Sequence, residues 1–175
     1  MEWKDLLIDG YGRILSVLES ALDGMNSDDL DERPHPDCNT MGWLTWHLTR
    51  VQDDHIADLM GEEQLWTKDK WHAQFNRPSD PKDIGFGHSS EQAGAFKSPG
   101  AGTLLAYHRA VLERSKRYIE GLSENDLDRE LNEPWFQPLP TVGVRLVSVI
   151  IDCLQHAGQV AYVRGLLKGK GWLGY

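Results

Sequence analysis

One carboxylate and one histidine stand out in the last long apolar segment of the sequence. Asp152 is the only formally charged residue between Arg145 and Arg164, and its apolar neighbours predict burial on nearly every side. A buried carboxylate without a partner is costly in free energy, so Asp152 needs a cation or hydrogen-bond donors. His156 follows four residues later, about 40° around a helix and one turn along it, so both side chains point the same way. One metal ion would satisfy both residues.

A second histidine, His47, lies in another apolar segment between Leu44 and Val51, where a buried imidazole also needs a partner. Two imidazoles and one carboxylate can form a metal site with open positions for water or substrate, as catalytic sites do. The expected ligands are therefore His47, Asp152 and His156. Zinc is the expected ion on ligand type, with nickel and iron(II) as alternatives. The competing interpretation is an Asp–His pair hydrogen bonded inside the core.

The same segment offers one candidate protein nucleophile, Cys153, which His156 could activate from three residues away. A free cysteine among apolar residues is usually a small core side chain, so we assign Cys153 to packing. The reacting nucleophile must then arrive as a substrate. A metal ion with an open position binds a thiol as the thiolate, whereas a free thiol with a pKa of about 8.5 is mostly protonated at neutral pH.

Hydrophobic periodicity predicts four long helices that would position these residues. They cover residues 3–25, 40–61, 103–120 and 141–169. His47 falls on the second helix, and Asp152 and His156 fall on the fourth. No strand-period pattern competes, so the expected fold is all-α, an antiparallel four-helix bundle with one long crossover that forms one domain over residues 1–175.

A long segment, residues 62–102, separates the second and third predicted helices and mixes aromatic residues with many glycines and prolines. Loops of this length in compact domains are usually functional, so we expect a lid or pocket wall. Five residues are predicted to contact substrate, with a solvated surface role as the alternative for the two arginines. They are Arg50, Trp66, Trp71, Phe75 and Arg164.

The composition limits the classes of partner and the cellular compartment that we expect for this protein. Lys and Arg total 18 against 27 Asp and Glu, and the formal net charge of −9 would repel nucleic acid. Two distant cysteines, Cys38 and Cys153, and the lack of a secretory or membrane-spanning segment favour a reduced, cytoplasmic protein without a membrane partner. The expected partners are a small-molecule thiol and an electrophile, with a homodimer as an open alternative.

Four segments carry a resemblance to a known family. They read NTMGWLTWHLTRVQDDHIADLMG, DIGFGHSSEQAGAF, LLAYHRAVLE and VGVRLVSVIIDCLQHAGQVAYVRG. Together they resemble the DinB-like superfamily, in particular its actinobacterial thiol-linked branch. The resemblance implies a four-helix bundle whose metal is held by a histidine on helix two and by two ligands one turn apart on the last helix. These positions are His47, Asp152 and His156 here.

The resemblance also implies an activity. Members of the branch include mycothiol-dependent maleylpyruvate isomerases and mycothiol or bacillithiol S-transferases. This chain departs from its relatives at Asp152, where they often carry glutamate or histidine, and at Gln159, where they often carry a second histidine. The expected function is metal-dependent S-transfer from a low-molecular-weight thiol to an electrophile, and mycothiol is the expected thiol. The alternatives are a metal-dependent hydrolase or isomerase and a non-catalytic metal-binding dimerisation module.

Overall fold

The computed structural model describes residues 1–169, which form an all-α fold with nine helices and no strand beyond a single bridge between Glu130 and Thr141. The helices are α1 (Trp3–Leu22), α2 (Ser27–Asp31), α3 (Met41–Met60), α4 (Leu65–Lys68), α5 (Trp71–Gln74), α6 (Ser90–Gly94), α7 (Ala101–Gly121), α8 (Glu124–Leu127) and α9 (Val142–Lys168). The all-α prediction is therefore confirmed, and the four long helices are those expected from the periodicity.

Capping residues fix the ends of the long helices. The Thr40 side chain accepts a hydrogen bond from the Trp43 backbone at the start of α3, and Thr141 caps α9 in the same way. Gly61 ends α3 with a φ of 65°, in the left-handed region that favours glycine. The first helix ends at Leu22, three residues before its predicted end.

The four long helices pack around one core, and α1 and α3 each contact both α7 and α9. Helices α3 and α9 run antiparallel, because His47 lies against His156 while His55, further along α3, meets Arg145 at the start of α9. This antiparallel pair carries all three predicted metal ligands.

Two other pairs run parallel, which corrects the antiparallel expectation. The Tyr11 hydroxyl donates to the Leu146 carbonyl and Arg164 donates to the Ala21 carbonyl, so α1 and α9 point the same way. Helices α3 and α7 are also parallel, since Thr49 contacts His108 and Gln52 contacts Ser115. The chain must therefore return along the full length of α3, about 30 Å for its 20 residues, before α7 begins. Residues 61–100, hereafter the crossover, make this return.

Buried charged residues on α3 hold the crossover in place. The Asp53 carboxylate accepts hydrogen bonds from the backbone of Leu65 and Trp66 and from the Tyr107 hydroxyl, which lies 2.7 Å away. The fully buried Arg50 donates to the carbonyls of Pro81 and Asp83 further along the crossover. The beginning and the middle of the crossover are thus each bonded to a side chain of α3.

Three aromatic residues of the crossover pack into or against the core. Trp66 and Phe75 are buried, and the Arg50 guanidinium lies over the Trp66 ring at 4.7 Å from its centroid. Trp71 packs against Tyr107 with ring centroids 5.2 Å apart. Their apolar surface is therefore used to attach the crossover to the helices.

Helix α9 is less buried than its composition suggests. Ile151 is 51% exposed and Leu154 is 49% exposed, so the expectation that Asp152 is buried on nearly every side is wrong. By length and composition α9 could span a membrane, and within residues 1–169 it alone meets that criterion. Core helices meet the same criterion, and α9 packs along α1 and α3.

Candidate metal centre

The three predicted ligands converge between α3 and α9. Each of the three residues offers one ligand atom, and these three atoms, from His47, Asp152 and His156, lie within 4.8 Å of one another. The two imidazole rings meet edge to face with centroids 4.7 Å apart, and His156 Nε2 lies 3.7 Å from Asp152 Oδ1. The sequence prediction therefore selected three residues that the fold brings together.

The His47 ring is fixed in one orientation and one tautomer. Its Nδ1 hydrogen bonds to the Ile84 carbonyl of the crossover, and because a carbonyl only accepts, the ring proton sits on Nδ1. The imidazole also stacks on the Trp43 ring, with the two ring planes 17° apart, and this contact helps to fix its orientation. Burial lowers the pKa of His47 and favours the neutral ring. Nε2 is thereby left as a free metal-binding atom.

Gly85 allows the crossover to approach this ring. Its φ of +86° is in the left-handed region, and a Cβ there would lie 2.9 Å from His47 Nδ1 and 2.9 Å from a Trp46 ring carbon. Any larger residue would push the neighbouring Ile84 carbonyl away from His47. The tight turn is therefore part of what orients the ligand.

A hydrogen bond within α9 orients the His156 ring. Its Nδ1 lies 2.7 Å from Gln159 Oε1, which accepts the ring proton and leaves Nε2 directed at Asp152. Gln159 is the position at which the family resemblance leads one to expect a second histidine. Here that residue orients a ligand from the neighbouring turn.

Asp152 has an oxygen that its surroundings do not satisfy. In the described part of the chain no donor reaches the enclosed Oδ2 atom, although 42% of the side chain is exposed. The 3.7 Å separation from His156 is too long for the hydrogen-bonded core pair that was the competing interpretation. Two imidazole nitrogens and an unsatisfied carboxylate oxygen fit a divalent cation such as zinc, nickel or iron(II).

A comparison with protein-family models matches residues 12–160 to the DinB superfamily. The chain belongs to this superfamily. It is also similar to a solved structure titled as the conserved protein of a locus from Enterococcus faecalis, with 28% identity, a TM-score of 0.89, and coverage of 97% of this chain and 99% of that one. No curated protein matches. DinB membership supports a metal-binding protein, in agreement with the triad.

A cavity of about 730 Å³ opens beside the triad of this DinB protein. His47 and Asp152 form one end, and residues of α3, α9, the crossover and the segment between α8 and α9 form the walls. We call the last segment, residues 128–141, the connector. Its Trp135 and Phe136 line the cavity and were not among the predicted site residues. Two adjacent aromatics within a proline-rich connector were the available signal.

None of the five predicted substrate-binding residues lines this cavity. Arg50 is fully buried and bonded to the crossover, and Trp66, Trp71 and Phe75 pack against the core. Arg164 donates to the carbonyls of Ala21 and Asp23 at the end of α1. In this DinB protein, the pocket-facing aromatics are Trp135 and Phe136 of the connector and Phe86 of the crossover.

Cys153 is a packing residue, as expected. Its thiol is fully buried and donates to the Leu48 carbonyl at 3.3 Å. Burial raises the pKa of this thiol well above its usual value, so the thiolate is disfavoured. The side chain faces α3 rather than the cavity and is absent from the cavity lining.

Proposed function

We propose that this DinB protein is a metal-dependent S-transferase that joins a low-molecular-weight thiol to an electrophilic small molecule. One observation carries the proposal: three ligand side chains converge at one end of a largely apolar cavity whose lining, among the described residues, includes no cysteine. Ser148, which lines the cavity, donates its hydroxyl proton to the Val144 carbonyl, so that proton is already engaged by the backbone. The nucleophile must therefore be a substrate.

The protein residues would act by holding and orienting. His47, Asp152 and His156 would hold the ion, and the bonds to Ile84 and Gln159 keep both imidazoles pointing at it. A divalent ion held there supplies a Lewis acid that keeps a coordinated thiol ionised near neutral pH. The apolar walls exclude water and bring the electrophile close to the thiol.

Zinc is the proposed ion, with nickel and iron(II) as alternatives, and mycothiol is the proposed thiol. Zinc rests on the two-imidazole, one-carboxylate ligand set. Mycothiol rests on the sequence resemblance alone. The cytoplasm stays the predicted compartment and nucleic acid stays excluded by prediction, given the net charge of −9.

The first prediction tests this activity directly. Zinc-loaded protein is expected to conjugate monobromobimane to mycothiol faster than the uncatalysed reaction, because the thiol is ionised and held beside the electrophile. A chelator should abolish the gain, and His47→Ala should lower it by about a hundredfold or more, since losing a ligand costs more than losing a supporting bond. The rate is followed by the fluorescence of the bimane conjugate, with bacillithiol and glutathione tested in parallel.

The control is Cys153→Ala, which should keep the activity because Cys153 lies outside the cavity lining. Loss of activity in that variant would indicate that the nucleophile is Cys153 rather than a substrate thiol. Turnover of an ester or amide without any thiol would favour a hydrolase. If no thiol accelerates any electrophile while zinc stays bound, a non-catalytic metal-binding module replaces the transferase.

We also propose that the protein forms a homodimer through the outer face of α9. The exposed positions between Val144 and Leu166 include Ile151, Leu154 and Tyr162, and none of them is charged. Each chain carries a net charge of −9, so two copies repel one another except where such an uncharged face meets its equivalent. A two-fold interface pairs the same patch on both copies and buries these apolar side chains.

The second prediction concerns this interface. Light scattering after size exclusion should give twice the chain mass of 19.8 kDa, and Leu154→Glu should give a monomer because it buries an unpaired charge at the interface. The control is Leu6→Glu, which changes a similarly exposed leucine on α1 and should leave the protein dimeric. A wild-type monomer, or a wild-type chain that binds vesicles through α9, would overturn the homodimer.

A further inference from the structure

The cavity has a second polar end, remote from the triad. His55 of α3, Arg145 of α9 and Glu133 of the connector meet there, and all three line the cavity. Arg145 Nη1 lies 2.7 Å from His55 Nδ1, and Arg145 Nη2 donates to both carboxylate oxygens of Glu133. The side chains of Arg145 and Glu133 are only 12% and 13% exposed.

The helix register sets the distance between the two ends. His55 follows His47 by eight residues on α3, and Arg145 precedes Asp152 by seven residues on α9. At 1.5 Å per residue these spacings are about 12 Å and about 10 Å. Because the two helices are antiparallel, both spacings measure the same axis of the cavity. A ligand that reaches both ends must be about 10 to 12 Å long.

The polar end presents a hydrogen-bond donor without a net charge. Arg145 always carries its proton, so His55 Nδ1 accepts and the ring proton sits on Nε2. Burial and the neighbouring Arg145 both lower the pKa of His55, against the opposing effect of Asp54, so the neutral ring is favoured. Asp54 is bonded to Gln64 and lies outside the cavity lining. The charges of Arg145 and Glu133 balance one another.

The walls between the two ends are apolar. Val51 and Val149 come from the helices, and Trp135 and Phe136 from the connector. Trp135 is 73% exposed, so its ring has free surface at the rim of the cavity. These walls fit a flat or elongated apolar body and offer it few polar contacts.

We propose that His55 determines substrate specificity, and that the electrophile has an apolar body ending in an uncharged acceptor, such as an amide or ketone oxygen, that accepts from His55 Nε2. A ligand carboxylate would compete with Glu133 for Arg145, and a ligand ammonium would lie beside the Arg145 charge. The inference rests on the proposed function in placing the reacting atom of the electrophile at the triad, about 10 to 12 Å from this acceptor.

Binding of three unreactive probes of matched length tests this inference. Biphenyl-4-carboxamide, biphenyl-4-carboxylate and 4-methylbiphenyl differ only in the terminal group and span about the length of the cavity. Calorimetry on zinc-loaded protein should show the amide binding about tenfold more tightly than the other two, because it alone pairs with the Nε2 donor without a charge. Equal affinity for all three would overturn the proposal.

Substitutions then assign the preference to His55. His55→Phe keeps a ring of similar size and should abolish the amide preference while 4-methylbiphenyl binds as before or more tightly. His55→Gln restores a donor and should recover part of the preference. His35→Phe, at an exposed position, should change nothing. An amide preference that survives in His55→Phe, or that no His55 variant alters, overturns the assignment.

These measurements separate the two proposals. The metal content of each variant is recorded and should match the wild type, because His55 lies two turns from the triad. Melting curves show that each variant is folded at the temperature of the binding measurements. If the protein prefers the amide but conjugates no thiol, the specificity proposal is supported and only the transferase proposal is wrong. If the protein conjugates a thiol but shows no amide preference, only the specificity proposal is wrong.

Discussion

Replacing Asp53 by alanine is expected to lower the free energy of unfolding by about 3 to 5 kcal/mol, the cost of leaving buried charges without their partner. Asp53 is fully buried and accepts three hydrogen bonds that hold α4 and Tyr107. It also lies 3.7 Å from Arg50 and 3.5 Å from Arg114, both buried guanidinium groups. Urea denaturation followed by far-UV circular dichroism measures the change.

The matched control is Asp58→Ala, one turn and a residue further along α3 at an exposed position. It should change the unfolding free energy by no more than about 0.5 kcal/mol. Asp53→Asn keeps the shape and one acceptor oxygen, so its effect should fall between the two. If Asp53→Ala proves as mild as Asp58→Ala, the charges of Arg50 and Arg114 are satisfied without Asp53.

Replacing His156 by alanine is expected to weaken zinc binding by more than about a hundredfold, since losing a supporting bond to a ligand already costs tenfold to a hundredfold. Zinc in a hundredfold excess over its dissociation constant should stabilise the wild type by about 2.7 kcal/mol, and this stabilisation should vanish in the variant. Asp152→Asn should weaken zinc retention with a smaller loss of stability. Competition with a chelating indicator measures affinity, and thermal melting measures stability.

Gly85→Ala extends the same test to the crossover. The new Cβ would collide with His47 and Trp46, so the Ile84 carbonyl moves and zinc affinity should fall by about tenfold to a hundredfold. His35→Ala removes an exposed histidine and should leave zinc affinity unchanged. Equal melting of zinc-loaded and stripped wild type, or zinc binding by His156→Ala at wild-type affinity, would mean that the ion is held elsewhere.

The candidate ligands were predictable because their signals are local. A carboxylate and a histidine four residues apart share one side of any helix, and an apolar context makes each need a partner. That α3 faces this part of α9 was predictable only from His47, because its apolar neighbours also leave a polar side chain in need of a partner. The burial of Asp152 was overestimated because composition does not tell which side of α9 faces outward, and Ile151 and Leu154 face outward.

The burial of Arg50 and the helix directions were not predictable in this way. Arg50 looks like an ordinary surface arginine in the sequence, and its burial depends on Asp53, Tyr107 and carbonyls of the crossover that only the fold brings near. Periodicity carries no information on whether neighbouring helices run parallel. The length of the crossover was a usable signal, since about 40 residues suffice to return along α3 while a short loop would not.

The bond between the Ile84 carbonyl and His47 has a thermodynamic consequence for the crossover. Because the crossover orients this ligand, we expect local unfolding around Ile84 to release His47, and loss of the ion to loosen the crossover around Ile84. The free energy of opening this part of the crossover then includes the binding free energy of the ion. Amide hydrogen exchange in this segment therefore reports metal occupancy, although only Ile84 among its residues is bonded to a candidate ligand within residues 1–169.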